Sequence, residues 1–359
     1  MQPNPEHIEQ ARGLNQAARQ FLLSEPWEHI RESECFAFRD PDTLEHVFVS
    51  VRGDLDPCPG LAVFRGVEGY ASMHRLGLRA IESLDERDIL DVSGTFVVFR
   101  PLAELSARAM VPIESSGVEF DPAGLAPDFA TYLPGHVPGG PTSEEIRLLT
   151  LALQLSCQLV EPVLENKLHL DCVDGRWIEF RHVHDRAACW WEASRTKRGF
   201  VQPSLFPPRP QPLDELNRAR LQQLAERPDE IWEFDIVPVG MVQELAPEER
   251  WPILLMLLIV DRATGMPRHF EYIPAPVRYA QAAARLVSAL LSIGARPAQM
   301  RVRDYRMRAS IAAIAQAMDC KLITVRHLPA LDVGHAVLRD LIRRDKAHRA
   351  GWARHCTDS

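Results

Sequence analysis

The sequence predicts an α+β domain followed by an α/β domain, and three observations support this division. In the first half of the chain, short strand-like runs lie close together between turn-forming residues, a pattern that favours antiparallel pairing. In the last third, apolar runs predict elements in the order β-β-β-α-β-α-β-α. Between these parts, the proline-dense stretch Ser204–Leu213 is unable to form a packed core by itself. We therefore expect an N-terminal domain over residues 1–203, a proline-rich linker and helix over 204–228, and a C-terminal domain over 229–350.

The N-terminal domain opens with an amphipathic helix that Pro26 ends. After Gly117, two Pro/Gly clusters predict irregular chain, and Thr142 then starts a helix through a capping box with Glu145. The other predicted elements are strands at Cys35–Phe38, His46–Val51, Leu61–Arg65 and Gly94–Arg100, a helix at Glu68–Ile81, and a hairpin made of Trp177–Phe180 and Cys189–Trp191.

The C-terminal domain is predicted to be one mixed sheet covered by helices, because a hairpin-linked half precedes strand–helix alternation. A helix that starts at Asp214 and ends at Pro228 leads into it. The predicted strands are Ile231–Val239, Ile253–Asp261, His269–Ile273, Gln299–Arg303 and Leu322–Val325. The predicted helices are Val277–Ile293, which Gly294 closes, Met307–Met318 and Val333–Arg344.

The composition is typical of a globular protein, with 46% hydrophobic and 25% charged residues in 359. The polar N-terminus lacks the pattern of a signal peptide. The longest purely apolar run, Ile253–Val260, is far shorter than the roughly 18 residues that span a bilayer. Seven scattered cysteines, never spaced C-x-x-C, favour reduced thiols. These features predict a cytoplasmic protein with no membrane association.

Charge is unevenly distributed along the chain. From Glu271 onward there are 15 Arg/Lys and 7 Asp/Glu, a balance of +8, so the total of -8 leaves -16 for the rest. The negative total argues against a general nucleic-acid binder, whereas the basic last quarter can contact an acidic protein, nucleic acid or the chain's own acidic part.

The C-terminal domain resembles the ribonuclease-H-like fold, and its integrase and transposase branch in particular. The residues that carry the resemblance are Trp232 before Asp235 on the first strand, the phrase VDRATG (Val260–Gly265), and Gly294 and Pro297 before a strand that ends in Asp304. In active members, three carboxylates hold two divalent metals that activate water and stabilise the leaving group. The resemblance therefore implies Asp235 and Asp304 as catalytic residues and metal ligands, and Mg²⁺ or Mn²⁺ as the metal if the carboxylates converge. Asp340 is the third candidate, with Asp332 as its rival.

Each of these acids also has a structural explanation. An aspartate in an apolar strand, such as Asp235, is costly unless it is paired or functional. Asp304 suits a turn or helix cap, Asp332 a helix cap, and Asp340 an exposed ion pair with Arg344. The chain also departs from the integrase pattern, because Tyr305-Arg306 replaces the usual Asn-Gly and the third acid is not a glutamate.

The whole chain is similar to an uncharacterised family of bacterial two-domain proteins. The sequence segments that carry this resemblance are PWEHI, RDPDT, GLAVFRGVEGY, YLPGHVPGG, IWEFDIVPV and LPALD. This second resemblance implies no activity.

Two further groups of residues are candidate binding sites. His182 and His184, near His169, Asp171 and Asp185, could chelate a metal on one face of a strand, although exposed or hydrogen-bonding histidines fit the same pattern. Four arginines around Asp304 could contact phosphates or a protein partner, or form a solvated basic face. They are Arg301, Arg303, Arg306 and Arg308.

Two functional hypotheses follow. The first is a non-catalytic binding protein that keeps a degenerate ribonuclease-H-like domain as an interaction platform. The alternative is a divalent-metal-dependent nuclease, phosphodiesterase or transposase-like enzyme that acts on nucleic acid through Asp235, Asp304 and Asp340.

Overall fold

The computed structural model of the chain describes residues 5–53, 58–76, 90–121, 124–168, 170, 178–184, 189–195, 213–242, 252–274, 278–303 and 305–341. Contacts divide the chain into two units. The first is Met1–Pro134 with Pro138–Leu205, and the second is Gly135–Val137 with Phe206–Ser359. Each unit is built around one mixed sheet.

The first unit contains seven strands and four α-helices among the described residues. The strands are β1 Cys35–Arg39, β2 His46–Arg52, β3 Gly60–Arg65, β4 Gly94–Pro101, β5 Leu125–Tyr132, β6 Ile178–His184 and β7 Cys189–Arg195. The helices are α1 Pro5–Ser24, α2 Gly66–Leu76, α3 Ala107–Ser116 and α4 Ser143–Leu164. The sheet order is β5-β4-β3-β2-β1-β6-β7.

Alternating apolar side chains let this sheet bury both faces. Phe36, Phe38 and Val49 point to the face covered by α1 and α4, where Phe21 and Leu153 pack. The opposite face is covered by α2 in a smaller core, which consists of Ala37, Phe48, Ala62, Phe64, Tyr70, Leu76, Val92 and Phe96. The predicted capping box is present at the start of α4, where Thr142 accepts from the Glu145 backbone and Glu145 accepts from that of Thr142.

One expectation for this unit was wrong, and one helix was missed. The segment after Gly117 contains a regular strand, β5, which pairs with β4 along its length. Helix α3 was not predicted, because Pro112 lies inside it and hides the helical pattern. The predicted antiparallel pairing of the strands that lie close in sequence is confirmed for β1 with β2, β2 with β3 and β3 with β4. Strand β6 runs parallel to β1 after the long crossover through α4.

Helix α4 is the one helix in the described part of the chain that is long and apolar enough to cross a membrane. Its buried residues, among them Leu149, Leu153 and Leu159, pack into the core of the first unit. Burial against a sheet accounts for this apolar character.

The second unit contains five strands and four helices among the described residues. The strands are β8 Ala225–Val242, β9 Ile253–Asp261, β10 Pro267–Pro274, β11 Ala295–Val302 and β12 Lys321–Thr324. The helices are α5 Glu215–Gln222, α6 Arg278–Ile293, α7 Tyr305–Ala317 and α8, over residues 329–341. The sheet order is β10-β9-β8-β11-β12, with the first three strands antiparallel and the last three parallel. The predicted mixed sheet and the order of its elements are confirmed.

Helices cover both faces of this sheet. Helix α8 packs on one face through Leu331 and Leu338, against side chains of β8 and β9 such as Val237 and Leu258. Helix α6 lies on the other face, where its Arg285 pairs with Glu271 of β10. Helix α7 packs beside α6.

Two strands of this unit begin earlier than predicted. Residues 225–228, which we assigned to the linker and helix, form the start of β8, and residues 225–227 pair with residues 295–297 of β11. Proline lacks an N–H and argues against a strand interior, which is why Pro228 and Pro297 misled the prediction. A register shift between Pro297 and Gln299 accommodates the missing donor. The predicted linker itself lies almost entirely outside the described residues.

Candidate functional site

Strand β8 places two carboxylates side by side on the face that α8 covers. Glu233 and Asp235 are two residues apart, so their side chains point to the same face of the sheet. Both are buried, with 0% and 2% of their surface exposed. The same face continues into the apolar core with Val237 and Val239. Two acids in such a place need compensating partners.

Asp235 is compensated by a backbone donor and an arginine. The Ile236 N–H donates to Asp235 Oδ1 at 2.8 Å. Arg303, the residue after β11, lies with its Nε 3.5 Å from Asp235 Oδ2. Because β11 is the direct neighbour of β8, the sheet topology brings this guanidinium to Asp235.

The same guanidinium reaches a second acid on α8. Arg303 Nη2 lies 2.6 Å from Asp332 Oδ1, and only 22% of the Arg303 side chain is exposed. Asp332 is 43% exposed, so the pair opens to solvent on that side. Arg303 therefore stands between two carboxylates, one buried on the central strand and one at the start of a helix.

Glu233 caps helix α8. Its Oε2 accepts a hydrogen bond from the Leu331 N–H at 2.9 Å, and Leu331 lies in the first turn of the helix. Pro329 is the first helical residue, a position at which its missing N–H costs nothing. A carboxylate is favoured there because the N-terminus of a helix carries partial positive charge. Arg262 Nε lies 3.9 Å from the other oxygen, Glu233 Oε1.

Sequence reasoning missed Glu233, although a signal was present. In the phrase WEFDI, two acids alternate with apolar residues within one strand. That spacing puts both acids on one buried face. Asp261, at the end of β9, was also missed as a structural acid. It is 3% exposed, accepts from the backbone of Ala263 and Thr264, and pairs with Arg268 at 2.9 Å. Asp261 thus organises the hairpin turn of the VDRATG phrase.

The other predicted acids have different surroundings. The suggestion that Asp332 caps the last helix was wrong, because α8 begins at residue 329 and Glu233 supplies the cap. Asp340 is exposed on α8, and Arg344, its predicted partner, lies outside the described residues. Asp304 also lies outside them, so its role as a ligand or catalytic residue stays a prediction.

The four arginines do not form one group. Register pairs Arg301 of β11 with Glu233, and the Arg301 guanidinium lies beside the Gln299 side-chain amide. Arg303 is engaged with Asp235 and Asp332. Arg308 is exposed on α7, and the side chain of Arg306 lies outside the description. Arg301 and Arg308 are thus the members with surface available for a partner.

The predicted histidine cluster is described only in part. His182 lies on β6, whereas His169, Asp171, Asp185 and the side chain of His184 lie outside the description. Within the described part of the chain, no three His, Cys, Asp or Glu residues are grouped so that they could hold a metal ion. The histidine metal site stays a prediction.

The first unit has its own buried acid. Glu179 on β6 is 2% exposed. Its carboxylate oxygens lie 3.3 Å from His46 Nε2, 3.0 Å from Arg39 Nε and 3.1 Å from Arg181 Nη2. The hydrogen bond from His46, then those from Arg39 and Arg181, outweigh burial and lower the Glu179 pKa to about 2. Glu179 is a charged structural residue at neutral pH.

Comparison with protein families finds a match in each part of the chain. Residues 12–181 match the family described as Domain of unknown function (DUF7309), and residues 217–333 match the one described as Domain of unknown function (DUF6930). This is a two-domain chain. The predicted two-domain organisation is thereby confirmed, and neither family description names an activity.

Comparison with curated proteins finds no match. Among solved structures, a match comes from a cryoEM structure of the simian T-cell lymphotropic virus intasome in complex with PP2A regulatory subunit B56 gamma. It is 16% identical over 40% of this chain and 42% of that chain, so it spans less than half of that chain's length, and its TM-score is 0.22. At this TM-score the match carries no argument about fold or function.

Proposed function

We propose that this two-domain chain is a non-catalytic binding protein, and that its C-terminal domain is a ribonuclease-H-like scaffold with a degenerate active site. The observation that carries the proposal is the position of Arg303 between Asp235 and Asp332. In active members of the fold the sequence resembles, carboxylates hold divalent metals. Here an arginine neutralises the carboxylate of Asp235, and a guanidinium, unlike a metal ion, has no coordination position at which a water can be activated.

The rest of the site supports the same proposal. Glu233, the second acid on this face of β8, is engaged with the N-terminus of α8. The third sequence candidate, Asp340, is exposed on the same helix. The element order after residue 229, with a mixed sheet, supports the ribonuclease-H-like assignment.

For the partner we propose an acidic protein surface, contacted by the basic last quarter of the chain. Arg308 is exposed and Arg301 is partly exposed, and both lie in that quarter. The total charge of -8 disfavours general binding of nucleic acid. Fluorescence anisotropy with labelled single-stranded and double-stranded DNA and RNA tests this choice. Salt-dependent binding that Arg301→Ala and Arg308→Ala weaken would assign the partner to nucleic acid.

Calorimetric titration with Mn²⁺ tests the non-catalytic assignment. The wild type and Asp235→Ala should both give only heat of dilution, because the Asp235 charge is already neutralised within the protein. A metal-dependent heat in the wild type that Asp235→Ala removes would overturn the proposal. It would favour the metal-dependent phosphodiesterase acting through Asp235, Asp304 and Asp340.

A further inference from the structure

Strand β10 lies at the edge of the five-stranded sheet and carries two exposed aromatic side chains. In the described part of the chain it pairs with β9 on one side, and the sheet order ends with it on the other. Phe270 is 51% exposed and Tyr272 is 43% exposed. An edge strand with exposed aromatic residues is a template for pairing with another strand.

The two aromatic residues are exposed because the sheet extends beyond the helix that covers it. Register pairs Phe270 with Leu258 and Tyr272 with Met256, so all four side chains point to the face of α8. Leu258 and Met256 are buried in the core beneath α8. Strand β10 lies one strand farther out, past the cover that α8 provides.

Helix α8 adds a second apolar feature on that face. Val333, Val337 and Leu341 are 63%, 54% and 56% exposed, and they recur every four residues along one side of the helix. Asp332, on the opposite side of α8, contacts Arg303 after β11. Because β11 and β10 lie on opposite sides of β8 and β9, the apolar stripe of α8 lies on the β10 side. The stripe and the two aromatic residues border the same uncovered part of the sheet.

We propose that β10 pairs antiparallel with β10 of a second copy of this chain, about a two-fold axis at Phe270. The side-chain sequence His269-Phe270-Glu271 is complementary to itself in this register. Each Phe270 faces the Phe270 of the second copy, which forms an aromatic pair at the axis. Arg268 stays with Asp261 and Glu230 of its own chain. On the other face of the sheet, each His269 faces a Glu271.

The ends of β10 define the length of this pairing. Pro267 and Pro274 are its first and last residues, and neither has an N–H to donate. With the axis at Phe270, the five residues 268–272 face each other between the prolines, with Arg268 at a register shift, and five residues are the length of an ordinary strand. Because the same edge is used by both copies, the contact is closed and produces a dimer and not a filament.

Sedimentation equilibrium of the full chain over a wide concentration range tests the proposal. The wild type should be a dimer that dissociates on dilution. Phe270→Lys should raise the dissociation constant at least tenfold, because it places two like charges opposite each other at the axis. Met266→Lys is the matched control, since Met266 is 64% exposed in the turn immediately before β10 and should leave the dimer intact.

Cross-linking tests the register. Phe270→Cys should form a disulfide-linked dimer on mild oxidation, because residues that face themselves across an antiparallel pair lie within disulfide distance. Met266→Cys and the wild type, with its seven cysteines, measure the background. A wild type that is monomeric at every concentration would overturn the proposal. So would a dimer that Phe270→Lys leaves unchanged and Phe270→Cys fails to cross-link.

Discussion

At the scale of single residues, Arg303 is the side chain on which the candidate site depends. It compensates Asp235 inside the second unit and reaches Asp332 at the surface. An apolar strand tolerates a buried aspartate only with such compensation. The stability of the domain and the charge state of the Asp235 environment are therefore linked through one guanidinium.

Replacing Arg303 by methionine should lower the free energy of unfolding by about 2 kcal/mol, because the buried Asp235 loses its charged partner. This expected loss is smaller than the loss on breaking a fully buried ion pair, because the Asp332 side chain is half exposed and solvent screens its charge. Urea unfolding measures the change, and Arg308→Met, at an exposed position on α7, should shift stability by less than about 0.5 kcal/mol.

A double variant separates charge compensation from packing. Asp235→Asn removes the charge that Arg303 compensates, so Arg303→Met should cost clearly less in the Asp235→Asn background than in the wild type. Equal costs in both backgrounds would mean that Arg303 acts only through the packing of its aliphatic stem.

Glu179 makes the first unit sensitive to acid. Its pKa is lowered from 4.5 to about 2 in the folded chain, so its contribution to stability is complete above pH 4.5. As the pH falls from about 4.5 towards about 2, protonation in the unfolded state removes this contribution. We expect a loss of about 2 kcal/mol over that window, reduced from the full shift because Arg39 and Arg181 are half exposed.

Urea unfolding at a series of pH values measures this loss. Glu179→Gln should be less stable than the wild type at pH 7, and the difference should shrink as the pH approaches 2. Glu114→Gln, at an exposed position on α3, is the control and should follow the wild type. A difference that stays constant with pH would contradict the role of the Glu179 charge.

At the scale of elements, the attachment of α8 to the sheet depends on β8. Glu233 reaches across to the first turn of α8, so a strand and a helix separated by almost a hundred residues share one cap. Helix caps usually come from the residue just before the helix. Here the preceding residue is Leu328, which has no side-chain acceptor.

Glu233→Ala should therefore destabilise the second unit by about 2 kcal/mol, because the Leu331 N–H loses its partner in a buried place. Hydrogen exchange should show faster exchange in the first turn of α8 than in β8 itself. The matched control is Glu226→Ala on the same strand, where the carboxylate is exposed and 3.5 Å from Arg296. Uniform acceleration across the whole unit would show that Glu233 supports the sheet and not the cap.

Elements with strong local signals were predicted within a few residues. Helix α6 ends where Gly294 adopts a left-handed conformation with φ of 71°, as its position after the apolar pattern indicated. The predicted starts of the two strands that contain prolines were wrong. A register shift that accommodates Pro297 depends on the neighbouring strand and leaves no pattern in the local sequence. Helix α3 was missed for a similar reason, because the packing of Ile113 stabilises a helix that contains Pro112.

At the scale of the whole molecule, each unit has its own sheet and its own core. Glu179 belongs to the first and Arg303 to the second. Substitutions that affect separate cores should act on separate unfolding events, and their free energies should add.

Differential scanning calorimetry can test this independence. Glu179→Gln should lower the transition of the first unit, and Arg303→Met that of the second. The double variant should show the sum of both effects within about 0.5 kcal/mol. A single transition that both substitutions lower equally would show that the two units unfold together.

The sequence by itself determined the division into two domains, the order of elements in the second one and the need of a buried Asp235 for a partner or a function. Each of these depends on local patterns, such as apolar periodicity, turn residues and an acid within an apolar strand. The tertiary structure alone decided what compensates that acid. Arg303 lies 68 residues from Asp235 along the chain and Asp332 lies 97, and only the pairing of β8 with β11 and the docking of α8 bring the three together. The uncovered edge at β10 was likewise decided by tertiary structure. Apolar periodicity predicts that β10 is a strand, but it does not predict which strands of the sheet a helix will cover.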